Sequence, residues 1–192
     1  MPAPADVVTA TLAASARLHE QAQSSSLAAT VAAAEAMIAA LRAGGKILVC
    51  GNGGSASDAQ HFAAELVGRF ERERRALPAL ALTTDTSILT ALANDYAFAR
   101  VFARQVEAMG RPGDLLIGIS TSGGSANVLE AFATAKSGGL TTVALTGREG
   151  GAVGAAADIH INVPSRSTAR AQEVHRTLLH AICALVEREL YA

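Results

Sequence analysis

The sequence predicts an α/β fold in which a parallel sheet is covered by helices on both faces. Three observations carry that expectation. The short apolar runs KILVC (46–50), DLLIGIS (114–120) and TTVALTG (141–147) fit strands buried on both sides. Stretches with helical periodicity separate them, and strand–helix alternation implies parallel pairing with crossover helices. Glycine-rich turns follow two of the strands and open helices.

The elements follow in order. Residues 5–22 and 26–43 carry apolar residues at helical spacing: Val8, Leu12 and Ala16 in the first, then Val31, Ala34, Met37, Ile38 and Leu41. Gly44-Gly45 stops the second helix. The strand 46–50 leads through the turn GNGGSAS (51–57) into a helix over about 56–69. A strand lies near 79–83, and helices over 86–93 and 97–109 are separated by Asn94-Asp95. Pro112-Gly113 breaks the chain before the strand 114–120. The turn STSGGSA (120–126) opens a helix at about 125–137, which Gly138-Gly139 ends. The strand 141–147 follows. DIHINVP (158–164) alternates and ends in Pro, as an edge strand does. A final helix covers 168–190. The two N-terminal helices have little sheet left to cover, which suggests packing between subunits. Residues 1–192 form one domain, with 1–43 contributing to oligomerisation.

Composition narrows the function. Of 192 residues, 50% are hydrophobic and 17% charged, which suits one folded domain with a full-sized core. A net charge of −1 gives no electrostatic footprint for nucleic acid. Trp is absent and aromatic residues make up 4%, so no base-stacking platform is expected. The N-terminus lacks the basic-then-apolar pattern of a signal peptide, and no apolar run is long enough to span a bilayer. A cytoplasmic protein is expected. Cys50 and Cys183 lie in apolar contexts and read as buried thiols.

Both glycine turns sit where open parallel sheets bind ligands, at the carboxyl ends of strands. Free N–H groups and the dipole at a helix start favour an anion. Ser120, Thr121, Ser122 and Ser125 add short donors around one point, and a phosphate monoester fits. Neither turn has the lysine of a Walker loop. GNGGSAS lacks the glycine spacing of a dinucleotide fingerprint, and Asp85 is too far along to serve as its acid. The alternative is that both are ordinary turns with helix N-caps.

His61 and Glu65 lie four apart, on one helix face. They could form half of a metal site, or a base with its partner, or simply a surface pair. The last helix offers Gln172, Glu173, His175 and His180. At about 100° per residue Glu173 and His180 nearly eclipse, whereas Gln172 and His180 differ by roughly 80°. Helix geometry therefore favours Glu173 as the neighbour of His180 and allows Gln172. A lone His on an apolar helix can also be a satisfied core residue. The charge run RFERERRA (69–76) reads as a solvated face, with Arg69 as the residue that could approach a site.

CGNGGSASDAQHFAAELVGRF, ALTTDTSILTALANDYAF, GDLLIGISTSGGSANVLEAF and AQEVHRTLLHAI together resemble the phosphoheptose isomerases, single-domain members of the sugar isomerase (SIS) family. The resemblance spans about 40–190. It implies a Rossmann-like α/β/α sandwich, a homotetramer with sites at subunit boundaries, and conversion of sedoheptulose 7-phosphate to D-glycero-D-manno-heptose 7-phosphate. That reaction is the first step toward lipopolysaccharide heptose or other activated heptoses. The resemblance also implies one zinc ion per subunit, with ligands at His61, Glu65, Gln172 and His180, so that it selects Gln172 over Glu173. Substrate contacts carry over to Asn52, Gly53, Gly54, Glu65, Asn94, Asp95, Ser120, Thr121, Ser122, Ser125 and Gln172, and the proton carriers to Glu65 and His180. One departure is Ala169, where some members have Asp, and any role of that Asp is lost here. Two other readings stay open: a non-catalytic relative that binds the bacterial replication initiator, and a sugar-phosphate sensor. The first lacks the catalytic Glu and the second His, which this chain keeps. The second needs no metal set.

Overall fold

A computed structural model describes residues 1–191. Its elements are α1 (Pro4–Ser25), α2 (Leu27–Arg42), β1 (Ile47–Gly51), α3 (Gly54–Val67), β2 (Ala79–Ala81), α4 (Thr86–Asp95), a 3-10 turn (Phe98–Arg100), α5 (Ala103–Met109), β3 (Leu115–Ser120), α6 (Ala126–Ser137), β4 (Thr141–Gly147), α7 (Gly151–Ala156), β5 (Ile159–Val163) and α8 (Thr168–Leu190). The five strands are all parallel, in the order β2-β1-β3-β4-β5. The expected α/β/α architecture is the observed one.

Alternation along the strands feeds two cores. Ile47 and Val49 of β1, with Leu115, Ile117 and Ile119 of β3, pack beneath α2, α3 and α8. Leu48, Cys50 and Leu116 face the opposite way, against α5, α6 and their neighbours. Gly118 sits in that second face because a side chain there would strike Phe132 and Val128 of α6. Both cysteines are free and buried, and burial pushes each thiol up to about 12.

The order 2-1-3-4-5 fixes where a ligand binds. The chain runs outward in one direction from β1 and in the other from β3, and a crevice opens at the carboxyl ends of that strand pair. The two glycine turns are the segments that leave β1 and β3.

Several expectations change. α2 is not left over: Ala34, Met37, Ile38 and Leu41 are buried in the first core with the sheet. α1 packs on α8 through Leu18 and Ala22, whereas Val8 and Leu12 of the anticipated stripe are exposed. α3 begins at Gly54 and ends at Val67, two residues earlier at each end than the periodicity suggested. α4 continues through Asn94-Asp95, and the anticipated 97–109 helix is broken by the 3-10 turn, where Val101 and Phe102 turn into the core. α7 was not expected, because GGAVGAA has poor helix propensity. Tertiary contacts override it: Val153 N–H donates to Gly123 O at 2.9 Å, and Gly150 and Gly154 leave room for the His160 ring.

Candidate functional site

The turn after β1 is shaped by missing side chains. Gly53 has φ of +56° and a Cβ on it would meet open space, while a Cβ on Gly54 would overlap the amide of Gln172 from α8. Gln172 is thereby seated at the mouth of α3. Asn52 reaches across the switch point: its Nδ2 donates to Asn127 Oδ1 at 2.9 Å, and Asn127 Nδ2 returns a bond to Asn52 Oδ1 at 2.8 Å. This reciprocal pair ties the first turn to the helix that the second turn opens. Asn127 drew no notice in the sequence, because nothing local marks it.

The turn after β3 is shaped by hydroxyls. Ser120 Oγ lies 2.8 Å from Ser125 Oγ and 3.4 Å from Ser122 Oγ, and Gly124 N–H donates to Ser122 Oγ at 3.3 Å. Ser125 stands at the N-cap of α6, yet its side chain makes no capping bond. Neither turn closes its helix with a side-chain cap bond, since Gly53 at the N-cap of α3 has no side chain. Side-chain capping occurs elsewhere, at α8 by Ser167 and at α4 by Asp85. At the start of α6 the Ala126 and Asn127 N–H groups make no backbone hydrogen bond among the described residues and stay available to an anion, whereas at α3 Ser55 N and Ala56 N already donate to Asn52 O and Gly53 O at 3.0 Å. Thr121 is half-buried beside this group, and its carbonyl abuts Gly147.

On the other side of β1, α3 and α8 bring the neighbours His61 and Glu65 against His180, 119 residues beyond His61. One ligand atom each from His61, Glu65 and His180 fall within 4.8 Å of one another. His61 Nε2 and His180 Nε2 are 2.7 Å apart, and His61 Nε2 is 3.5 Å from Glu65. Two imidazole nitrogens and a carboxylate gathered within that span, half-buried, form a donor set suited to zinc. Glu173, which helix geometry favoured as the neighbour of His180, is not in the cluster. Its Oε1 pairs with Arg170 at 2.7 Å, and its Oε2 is buried without a hydrogen-bond partner among the described residues.

A cleft of about 720 Å³ lies between α1, α3 and α8, lined by Gly54, Asp58, Gln172, His180, Arg176 and His19 among others. It joins Gln172 and His180, but its lining does not extend to Ser120. Asp58, almost wholly buried, receives Arg176 at 2.7 Å. Asn94 and Asp95 lie at the exposed end of α4, where Asn94 Nδ2 donates to Asp95 Oδ1 at 2.8 Å, and neither lines the cleft. His175 is wholly buried, with Nε2 2.9 Å from Thr146 O. Burial holds its pKa below the ordinary histidine value, and its Nδ1 is buried without a hydrogen-bond partner among the described residues, so it sits in the core away from the cleft with one ring nitrogen paired. Arg69 is exposed and pairs at 3.6 Å with Glu73. The charge run is not wholly solvated, however, because Arg74 is buried.

A family model described as the SIS domain matches residues 12–147. A phosphoheptose isomerase from a Roseiflexus species is 61% identical over 161 residues, covering 84% of this chain and 82% of the relative. One from Neisseria meningitidis is 54% identical over 186 residues, covering 95% and 94%. The solved structure of a phosphoheptose isomerase from Neisseria gonorrhoeae superposes with a TM-score of 0.92 at 50% identity, covering 97% of this chain and all of that one.

Proposed function

Because this chain belongs to the phosphoheptose isomerases, SIS-domain enzymes that interconvert a ketose and an aldose, we propose that it acts on sedoheptulose 7-phosphate with Glu65 and His180 as proton carriers. The product is D-glycero-D-manno-heptose 7-phosphate, a precursor of activated heptoses for lipopolysaccharide or other glycans. The observation that carries the reading is the convergence of His61, Glu65 and His180 beside the switch-point crevice.

The reaction needs two proton transfers. A base removes a proton from C1 of the ketose while the carbonyl oxygen at C2 gains one, giving an enediol. The C1 hydroxyl then loses its proton as C2 gains one, and the aldose results. Glu65 and His180 are close enough in space to serve adjacent carbons and oxygens. Ser120, Thr121, Ser122 and Ser125, with the free N–H groups of α6, hold the 7-phosphate and so fix the far end of the substrate. Asn52, Gly53 and Gly54 line the sugar's path beside Glu65, and Gln172 orients its reactive end. Asn94 and Asp95 would reach sugar hydroxyls only at a subunit boundary, since within one chain they stand apart from the cleft. The residues that would hold zinc are His61, Glu65, Gln172 and His180. Bound there, the ion would supply Lewis-acid stabilisation of the developing oxyanion.

A homotetramer is part of this reading. Val7, Val8 and Leu12 of α1 and Leu27 and Val31 of α2 are exposed apolar residues, a surface that a second copy would cover. Among the described residues no single helix is long and apolar enough to cross a membrane, in keeping with a cytoplasmic enzyme.

Incubating the purified protein with sedoheptulose 7-phosphate, with and without a chelator, tests the reading. Turnover that a chelator abolishes and zinc restores is expected. A protein that binds the sugar phosphate without turning it over, metal present or not, would instead be a sensor.

A further inference from the structure

Behind the cluster lies an ion pair with both side chains buried. Arg74 is 0% and Glu187 2% exposed, and Arg74 Nε donates to Glu187 Oε1 at 2.9 Å. Arg74 Nη2 donates to Glu65 O at 2.7 Å, and Nη1 to Leu66 O at 2.8 Å and Gly68 O at 3.1 Å. Two of these acceptors, Glu65 O and Leu66 O, belong to the last turn of α3, whose carbonyls have no helical partners, and a cation there also meets the negative end of the helix dipole. Glu187 in turn collects three successive backbone donors: Phe70 N on Oε1 at 2.9 Å, with Glu71 N and Arg72 N on Oε2 at 3.0 and 2.9 Å. These bonds and Arg74 outweigh the cost of burial and hold the Glu187 carboxyl below its ordinary range.

Two links run from this pair into the cluster. Arg74 grips the carbonyl of Glu65, whose carboxylate belongs to the cluster. The loop folded around Glu187 carries Phe70, whose ring lies 5.2 Å from the His180 ring at an interplanar angle of 33°. Glu187 also stands seven residues beyond His180, on the same face of α8. A buried ion pair is a poor source of net stability, since apolar residues of like volume serve as well. What it offers here is a fixed distance between two helices.

We propose that the Arg74–Glu187 pair is a positioning device that sets Glu65 on α3 against His180 on α8, through the Glu65 carbonyl on one side and Phe70 on the other. This rests on the metal-isomerase reading above. Arg74 and Phe70 touch neither substrate nor metal; they act through the residues that do.

The test compares Arg74→Met and Phe70→Leu with the wild type in the full chain. Zinc affinity is measured by competition with a chromophoric chelator, and kcat and KM with sedoheptulose 7-phosphate. For Arg74→Met, zinc binding should weaken by about 10- to 100-fold, as when groups supporting metal ligands are lost. Its kcat should fall in parallel while KM stays within about twofold, because the phosphate turn is untouched. Phe70→Leu keeps the ion pair and should shift zinc affinity and kcat the same way by roughly three- to tenfold. Circular dichroism establishes that each variant is folded, and if Arg74→Met is not, Phe70→Leu decides. Folded variants with wild-type zinc affinity and wild-type kcat overturn the proposal. A wild type that binds no zinc defeats the metal reading instead, and positioning then stands or falls on kcat alone.

Discussion

The two glycine turns leave neighbouring strands at the same end of the sheet, yet they are built by opposite means. The turn at 51–54 is made of absences. Gly54 has no side chain so that Gln172, arriving from α8, can occupy the space. The turn at 120–125 is made of groups it already owns, with the Ser122 and Ser125 hydroxyls gathered within 3.4 Å of that of Ser120. The first turn is completed by a side chain from a remote helix, and the second by its own side chains. The chemistry should divide accordingly, with bond making and breaking beside the first turn and anchoring in the second.

The largest expected effect tests the reactive side. Glu65→Gln keeps the side chain's volume and removes its charge and basicity. A lost general acid–base group typically costs 10²- to 10⁴-fold, so kcat should fall by about 10³-fold with KM changed only a few-fold. Steady-state kinetics on a variant whose circular dichroism matches the wild type would measure it. Near-normal turnover would erase the division between the turns.

How much of each turn could be read in the sequence follows from the same contrast. The hydroxyl turn was legible, because Ser120, Ser122 and Ser125 are close in sequence and their placement follows from a strand ending and a helix beginning. The cluster was legible only in halves. His61 and Glu65 share a helix face, but which α8 residue meets them depends on how α8 crosses α3. Spacing alone favoured Glu173, whose carboxylate turns to Arg170 instead. The charge run 69–76 gave no sign that Arg74 would be buried, since its acceptors are carbonyls of α3 and a carboxylate 113 residues away. α7 was hidden for a similar reason. Its glycines oppose a helix locally and are required by His160 and Gly123 globally.

That dependence of the second turn on α7 gives the next prediction. Gly123 has φ of +69°, and a Cβ there would collide with the backbone of Gly150 and Gly151, which cannot swing aside as a side chain can. Gly123→Ala should destabilise the fold by about 2–3 kcal/mol, combining left-handed strain with overpacking. For a chain of this size that is a Tm lower by roughly 4–12 °C. Gly54→Ala meets only the flexible end of Gln172, so its Tm should stay within about 2 °C of wild type while turnover falls. Thermal unfolding of both variants tests the contrast, and equal losses in Tm would show that the first turn is as rigidly packed as the second.

The smallest effect tests the anchoring side alone. The Ser122 side chain is exposed, and among the hydroxyls it stands 3.4 Å from Ser120, a weak internal bond. It accepts the Gly124 N–H at 3.3 Å, also near the limit of a hydrogen bond. The folded chain therefore loses little when that hydroxyl goes, whereas a phosphate would lose a donor to a charged oxygen. A hydrogen bond to a charged group contributes about 1.5–3 kcal/mol, and solvent at this exposed position places the effect at the low end, so KM for Ser122→Ala should rise by roughly tenfold. If the phosphate contact is equally strong in ground and transition states, kcat stays near wild type and only KM moves. Inorganic phosphate as a competitive inhibitor separates anion binding from sugar binding: its inhibition constant should rise by the same factor. An unchanged KM and an unchanged inhibition constant would mean that the hydroxyls face each other rather than a ligand, and the second turn would then be no more a site than any other strand-to-helix connection in the sheet.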